Sequence, residues 1–305
     1  MELAMIGLGK MGLNMTTRLV RGGHKVVGVA RHAASIEAAV KQGAEGARSV
    51  AEACQILKHP RVIWLMVPAG EVTDSVVAEA SGILQAGDIV VDGGNSNFRD
   101  SIRRAELLES KHIEFVDCGT SGGIWGLQEG YSLMIGGKAE IVERLRPIFE
   151  TLAPGKDRGW GYVGPHGAGH FVKMVHNGIE YGMMEAIAEG LSILHAKEEF
   201  ALDLAAISEI WRYGSVVRSW LLDLTASALK EDQSLSDIEP WVHDSGEGRW
   251  TVVEAVNDGV AAPVITLALQ MRFASRDREN YAARLLASMR NSFGGHAIKP
   301  AGSAE

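Results

Sequence analysis

Only two cysteines, Cys54 and Cys118, occur in 305 residues, and no Cys-x-x-Cys pair is present. That scarcity excludes a disulfide framework and points to a reducing, cytoplasmic setting. No stretch approaches the ~18 apolar residues that a membrane span needs. Basic residues are outnumbered, 30 Lys+Arg against 38 Asp+Glu, for a net charge of −8. Such a balance argues against a nucleic-acid partner, whose binders usually carry a basic face. It says less about a small anionic substrate, because salt screens distant charges beyond ~8–10 Å and local cations decide what a pocket binds. The opening residues Met1–Gly7 have neither the basic region nor the cleavage site of a signal peptide, so folded structure is expected from the start. There is no Gly-x-Ser-x-Gly elbow and no Walker loop. His166 and His170 are four residues apart, but the intervening glycines and the lack of a well-spaced third ligand argue against a metal site.

Glycine is plentiful and unevenly placed: 26 of 36 lie within residues 1–169. Short apolar runs there end in Gly-rich turns, giving strand candidates at Leu3–Ile6, Lys25–Ala30, Val62–Val67, Asp88–Asp92, Ile113–Asp117 and Ser132–Ile135. Several runs are continuous rather than alternating, as strands covered on both faces should be. Helical stretches lie between most of them, which predicts a doubly wound α/β domain of Rossmann type over residues 1–169. From His170 the pattern is helical only. Asp203 reads as the cap of a long helix to Leu229, and Pro263 as the start of another to about Arg290. An all-α domain over 170–298 and a frayed tail over 299–305 are expected, with no internal repeat.

Gly7-Leu8-Gly9-Lys10-Met11-Gly12 fits Gly-x-Gly-x-x-Gly, with a strand before it and a helix after it. Gly7 permits the tight turn, Gly9 lets backbone approach a pyrophosphate, and Gly12 allows close helix–strand packing. The helix N-terminus supplies N–H donors for the anion. Val67 and Pro68, at the end of a neighbouring strand, are further candidate cofactor contacts. The end of the second strand should report which dinucleotide binds. Ala30 stands where an acidic residue would take the ribose 2′-OH of NAD, followed by Arg31 and His32, either of which could meet a 2′-phosphate. That leans toward NADP and leaves NAD open.

The most informative segment runs from Phe171 to Tyr181. Lys173, His176, Asn177 and Glu180 stand at i, i+3, i+4 and i+7, within an arc of roughly 100° on one helix face. The residues between them are largely apolar. A lysine and a carboxylate two turns apart on such a helix read either as a structural ion pair or as a base–acid pair, with Asn177 and His176 orienting a hydroxylated substrate. Two strand-end loops, Asp92–Ser96 and Cys118–Gly123, are placed to join them, and exposed N–H groups around Ser121, Gly122 and Gly123 could cradle a carboxylate.

In these blocks the sequence resembles the decarboxylating 6-phosphogluconate dehydrogenases, in their shorter bacterial branch. The resemblance runs from the Gly motif to Phe293-Gly294-Gly295-His296, and its most specific block is Gly169–Gly182. It implies that Lys173 takes the proton of the substrate 3-OH and that Glu180 protonates the enediol after CO2 leaves, with His176 and Asn177 beside them. Asn95 (also a cofactor contact), Ser121, Gly122, Gly123 and Tyr181 match family substrate contacts. Gly248-Arg249-Trp250-Thr251 resembles the family's Gly-Lys-Trp-Thr, so Arg249 and Thr251 are implied contacts. Arg272 matches a phosphate-binding arginine, and Arg290 and His296 match an element that a partner subunit supplies.

The resemblance further implies NAD or NADP as cofactor, 6-phosphogluconate as substrate, a place in the pentose phosphate pathway and gluconate use, and a cytoplasmic location. Longer relatives carry a duplicated helical region where this chain has one copy, which implies an intertwined homodimer, or a dimer of dimers. A phosphate and a carboxylate together carry about −3 charges, so several cations are needed. Arg249, Arg272 and Arg290 are the candidates. Arg249 departs from the family's usual lysine, Ile124-Trp125 replaces an acidic pair common in the longer enzymes, and Ala30 matches neither the NAD-type aspartate nor the NADP-type asparagine. The shorter branch is often NAD-dependent. The alternatives are a β-hydroxyacid dehydrogenase or reductase that does not decarboxylate, and a dinucleotide-sensing protein without chemistry.

Overall fold

A computed structural model describes residues 1–301 of the chain, which divides into two compact units, Met1–Gly178 and the residues from Ile179 on. The first unit is built on one eight-stranded sheet. Its strands are β1 (Glu2–Ile6), β2 (Lys25–Val29), β3 (Glu45–Ala47), β4 (Val62–Leu65), β5 (Ile89–Asp92), β6 (Glu114–Ser121), β7 (Ser132–Gly137) and β8 (Trp160–Gly164). They lie in the order 3-2-1-4-5-6-7-8, parallel throughout except for the antiparallel pair β6–β7. The chain leaves β1 toward β2 on one side and returns to β4 on the other, which opens a crevice at the carboxyl ends of these strands.

Between strands run α1 (Lys10–Arg21), α2 (Ala33–Lys41), α3 (Val50–Ile56), α4 (Glu71–Ile83), α5 (Phe98–Glu109), the short α6 (Gly126–Glu129) and α7 (Ala139–Leu152). Alternate side chains of a strand point to opposite faces, and both faces here are covered. Leu3 and Met5 join Met15, Leu19, Trp64 and Phe149 in one core. Ala4 and Ile6 join Val27, Leu65, Val77 and Phe115 in the other. This is why Val62-Ile63-Trp64-Leu65 reads as an unbroken apolar run: all four residues are buried.

The strand expectations stand with two additions and two extensions, the shorter being β7, which runs to Gly137. Both additions are edge strands: β3 has only three residues, and β8 is broken up by Gly161 and Gly164. Strand β6 continues through Cys118–Ser121, which the sequence places in a loop, because this stretch pairs with Ser132–Ile135 of β7.

Helix α8 (Ala168–His195) leads from the first unit into the second, which also holds α9 (Leu204–Arg212), α10 (Trp220–Glu231), α11 (Glu247–Asn257), α12 (Pro263–Ala274) and α13 (Tyr281–Gly294). The two long helices expected here are each broken. The first stops around Gly214, whose φ of +75° is left-handed, and restarts where the Ser219 side chain accepts from Leu222 N–H. The second restarts at α13 behind Asn280, whose side chain accepts from Ala283 N–H. Every residue of α13 whose side chain is described is exposed, Tyr281, Leu285, Leu286 and Met289 among them. Of the expected tail, residues 302–305 lie outside the described residues.

Candidate active site

The dinucleotide turn has the backbone its motif requires. Gly7 is left-handed at φ +98°, and a Cβ there would run into the carbonyl of Met66. A Cβ on Gly12 would run into the carbonyl of Gly7, whereas nothing lies within 4 Å of one on Gly9. Gly9 caps α1 without a side-chain acceptor, and the first turn of α1 carries no acidic residue. The N–H groups of this turn are therefore open to an anion, and the residues present fit a dinucleotide pyrophosphate. Leu8 is buried, Lys10 exposed and Met11 half-buried, while Val67 and exposed Pro68 follow β4. At the end of β2, Ala30 packs against the core, and Arg31 and His32 are exposed at the start of α2.

The loop after β5 is held by buried Asp92. Its carboxylate accepts from Gly94 N–H (3.0 Å), Ser96 Oγ (2.8 Å) and Nη1 of Arg104 (3.0 Å). Asn95, at the tip, takes a left-handed φ of +52°, a conformation asparagine tolerates better than most residues. Its Nδ2 donates to the Thr120 carbonyl at 2.9 Å, and its Oδ1 accepts from Thr120 N–H at 2.8 Å. Ser121 closes β6, and Gly122 and Gly123 follow with φ of +124° and +51°. A Cβ on Gly123 would meet nothing within 4 Å, so this backbone is open to a ligand.

The polar stripe lies on α8. Lys173 is 4% exposed, and its Nζ donates to Oδ1 of Asn177 at 2.5 Å. Nδ1 of His176 lies 2.9 Å from the same oxygen and 3.4 Å from the amine. Glu180 is half-buried two turns beyond Lys173 on the same helix face. A buried amine whose direction is set by an amide and an imidazole can exchange a proton with a hydroxyl placed beside it.

In the second unit, the guanidinium of Arg272 stacks 3.5 Å above the ring of Tyr181 and donates to the His243 carbonyl at 2.9 Å. The Tyr181 hydroxyl accepts from Ser245 N–H at 3.2 Å. Arg249 and Arg276 both donate to Oδ2 of Asp244 at 2.9 Å, and both lie over Phe273. Burial raises the Asp244 pKa, but the hydrogen bonds from the two arginines outweigh it and hold the carboxyl below its ordinary value. Thr251 is buried and donates to the Glu247 carbonyl at 2.8 Å, while Arg290 and His296 are exposed. In the sequence Asp92 and Asp117 stand out only as ends of a loop or strand, and Arg104, Asp244 and Arg276 do not stand out. The spacing Arg272–Arg276, one helical turn, was the available signal for the last of these.

A dinucleotide turn at the carboxyl edge of a parallel sheet places the protein among the NAD(P)-dependent oxidoreductases. Residues 2–164 match the family pattern described as the NAD binding domain of 6-phosphogluconate dehydrogenase, and residues 169–299 match that of its C-terminal domain. The chain belongs to the 6-phosphogluconate dehydrogenase family. It is 42% identical over 299 residues to the NAD(+)-dependent, decarboxylating 6-phosphogluconate dehydrogenase of Haloferax volcanii, covering 98% of each chain. With the Bacillus subtilis enzyme of the same description it shares 36% identity over 92% of this chain but only 63% of that one. The structure of the Plasmodium falciparum 6-phosphogluconate dehydrogenase, solved apo, with NADP+ and with 6-phosphogluconate, superposes with a TM-score of 0.83. That match is 30% identical and covers 99% of this chain and 67% of that one.

Proposed function

We propose that the protein oxidatively decarboxylates 6-phosphogluconate to ribulose 5-phosphate and CO2 while reducing NAD or NADP, in the pentose phosphate pathway of the cytoplasm. The observation that carries this reading is the buried Lys173 amine, oriented by Asn177 and His176, with a carboxylic residue two turns along the same helix. Simple alcohol oxidation needs one base; loss of CO2 leaves an enediol that also needs an acid, and Glu180 supplies it.

In this reading Lys173 takes the proton from the 3-hydroxyl as the ketone forms. The bound nicotinamide supplies the hydride acceptor. Lys173, now an ammonium, faces the ketone oxygen and stabilises the negative charge that gathers there as the carboxylate leaves as CO2. Glu180 then delivers a proton to C1 of the enediol. The open N–H groups at Gly122 and Gly123, with Ser121, suit the substrate carboxylate. His176, Asn177 and Asn95 suit its hydroxyls. Arg272 and Arg249, with Tyr181 and Thr251, suit the phosphate, since arginine meets a phosphate with two parallel N–H donors. The Gly7–Gly12 turn, with Val67, Pro68 and the residues Ala30–His32, suits the dinucleotide.

The enzyme is further proposed to act as a homodimer, with Arg290 and His296 completing the site of a second copy. Tyr281, Leu285, Leu286 and Met289 of α13 are uncovered, and α8, α9 and α10 line an apolar cavity of about 600 Å3 that includes Ile187, Leu191, Leu204 and Leu229. Uncovered apolar surface of this extent favours association.

The deciding experiment incubates the protein with 6-phosphogluconate and either NAD or NADP, following reduced cofactor and CO2 together. Equal yields of both are expected. Reduced cofactor without CO2 would exclude decarboxylation, and no turnover with either cofactor would exclude the whole reading.

A further inference from the structure

Asp117 is fully buried in β6, yet among the described residues it forms no salt bridge. Its carboxylate is satisfied instead by the start of α8: Oδ1 accepts from Gly167 N–H at 2.7 Å and Oδ2 from His170 N–H at 2.9 Å. A helix N-terminus leaves N–H groups unpaired and carries a partial positive charge, so a carboxylate there serves as a cap. This cap comes from a strand about fifty residues earlier. It therefore fixes the helix to the sheet, which a local cap cannot do.

The fit around that carboxylate depends on glycine. A Cβ on Gly169 would strike the carbonyls of Asp117 and Met134, and one on Gly136 of β7 would fall 2.7 Å from Asp117 Oδ1. Two residues along β6, a Cβ on Gly119 would overlap the Cβ and Cγ of Lys173. The stem of Lys173 thus lies directly on the strand backbone. A third tie runs sideways, where Nδ1 of His170 lies 2.7 Å from Oγ of buried Ser101 in α5.

We propose that Asp117 is a positioning residue. By capping α8 from β6, it sets the height and rotation at which Lys173 rests on Gly119, beside the Thr120–Gly123 backbone. The consequence for turnover rests on Lys173 being the base proposed above; the seating of Lys173 does not. Displacement of a reacting group by ~1 Å is enough to cost ~10²-fold in rate.

The test compares wild type with Asp117→Asn and Gly119→Ala. The carboxamide retains one acceptor but turns an NH2 toward the second backbone N–H. Asp117→Asn is expected to lower kcat ~10–100-fold, with KM for 6-phosphogluconate and the dinucleotide Kd within ~3-fold of wild type. Gly119→Ala should lower kcat likewise. A merely structural role would lower thermal stability and leave kcat of the folded fraction unchanged, which overturns the proposal.

Two readouts need no turnover. In wild type, the amides of Gly167 and His170 should exchange as slowly as those of β1 and β4; exchange at loop rates overturns the proposal even if neither variant folds. Labelling of Lys173 by trinitrobenzenesulfonate, followed by peptide mass spectrometry, should be ~5-fold or more faster in Asp117→Asn, since local opening exposes it. An unchanged labelling rate would also overturn it. Faster labelling in a protein whose wild type never turns over 6-phosphogluconate would leave the positioning role standing and remove the proposed activity.

Discussion

Asn95 and Thr120 exchange two hydrogen bonds, amide to backbone in both directions, at 2.9 and 2.8 Å. The pair extends the β5–β6 ladder past the end of β5 by using a side chain in place of a backbone. Two of the amide's polar groups are spent in this way, which leaves one N–H and a lone pair for a ligand. Asn95→Asp would set a carboxylate oxygen against the Thr120 carbonyl while keeping the shape. It is expected to lower kcat/KM for 6-phosphogluconate by ~10²-fold, since a buried acceptor loses its donor and gains a repulsion. Steady-state kinetics and dinucleotide titration by fluorescence check it; an activity within 3-fold of wild type would show that the crosslink does not support the site.

Under the proposed function, cofactor choice is expected to turn on the residues that follow β2. No carboxylate stands at Ala30, and the exposed Arg31 and His32 follow it. Ala30→Asp is expected to raise the NAD-to-NADP ratio of kcat/KM by ~10-fold or more, because a carboxylate there accepts from a ribose 2′-OH and repels a 2′-phosphate. An unchanged ratio would mean that the 2′ position of the ribose lies elsewhere.

The turn at Gly7–Gly12 and the stripe from Lys173 to Glu180 were legible because both are local: one is a set of backbone conformations, the other a helical period. Asp117 was not, although its strand was recognised up to that residue. Its partners are backbone groups at Gly167 and His170, and backbone groups leave no mark on composition. Strand β6 was cut short for a related reason, since Cys118-Gly119-Thr120-Ser121 has turn-like residues and becomes a strand only by pairing with β7. The breaks at Gly214 and before Asn280 were hidden by flanking segments that are each good helix. A single glycine inside a helical pattern costs only ~1 kcal/mol and does not by itself announce an end.

Asp88 links acid sensitivity to a buried carboxylate away from the site. It accepts from the backbone N–H of Arg61 (2.6 Å) and Gln85 (2.9 Å) and from Nη1 of Arg61 (3.1 Å), and Nδ1 of His59 lies 2.9 Å away. Burial raises its pKa, but these hydrogen bonds outweigh it and hold the folded value below the ordinary one. The stability it contributes is therefore complete above about pH 4, the unfolded value, and is lost as pH falls through the lower folded value. Urea denaturation should show Asp88→Asn less stable by about 1–3 kcal/mol at pH 7. The gap should narrow below about pH 4; a gap that holds constant to pH ~3 would assign the stabilisation to shape rather than charge.

Arg272 separates the phosphate reading from every alternative that lacks one. Its guanidinium is held from two sides, by the Tyr181 ring 3.5 Å below it and by the His243 carbonyl, and among the described residues no carboxylate pairs with it. Arg249 and Arg276 differ, since both are engaged with Asp244. A guanidinium spared from a carboxylate can give its remaining donors to a phosphate at little cost. Loss of one charge-assisted contact of ~1.5–3 kcal/mol predicts that Arg272→Ala raises KM for 6-phosphogluconate ~10–150-fold. Gluconate has the same reacting carbons and no phosphate, and its kcat/KM should stay within ~2-fold of wild type because the deleted donors have nothing to meet. Equal losses for both substrates would mean that Arg272 supports the fold around Tyr181 and does not read the phosphate.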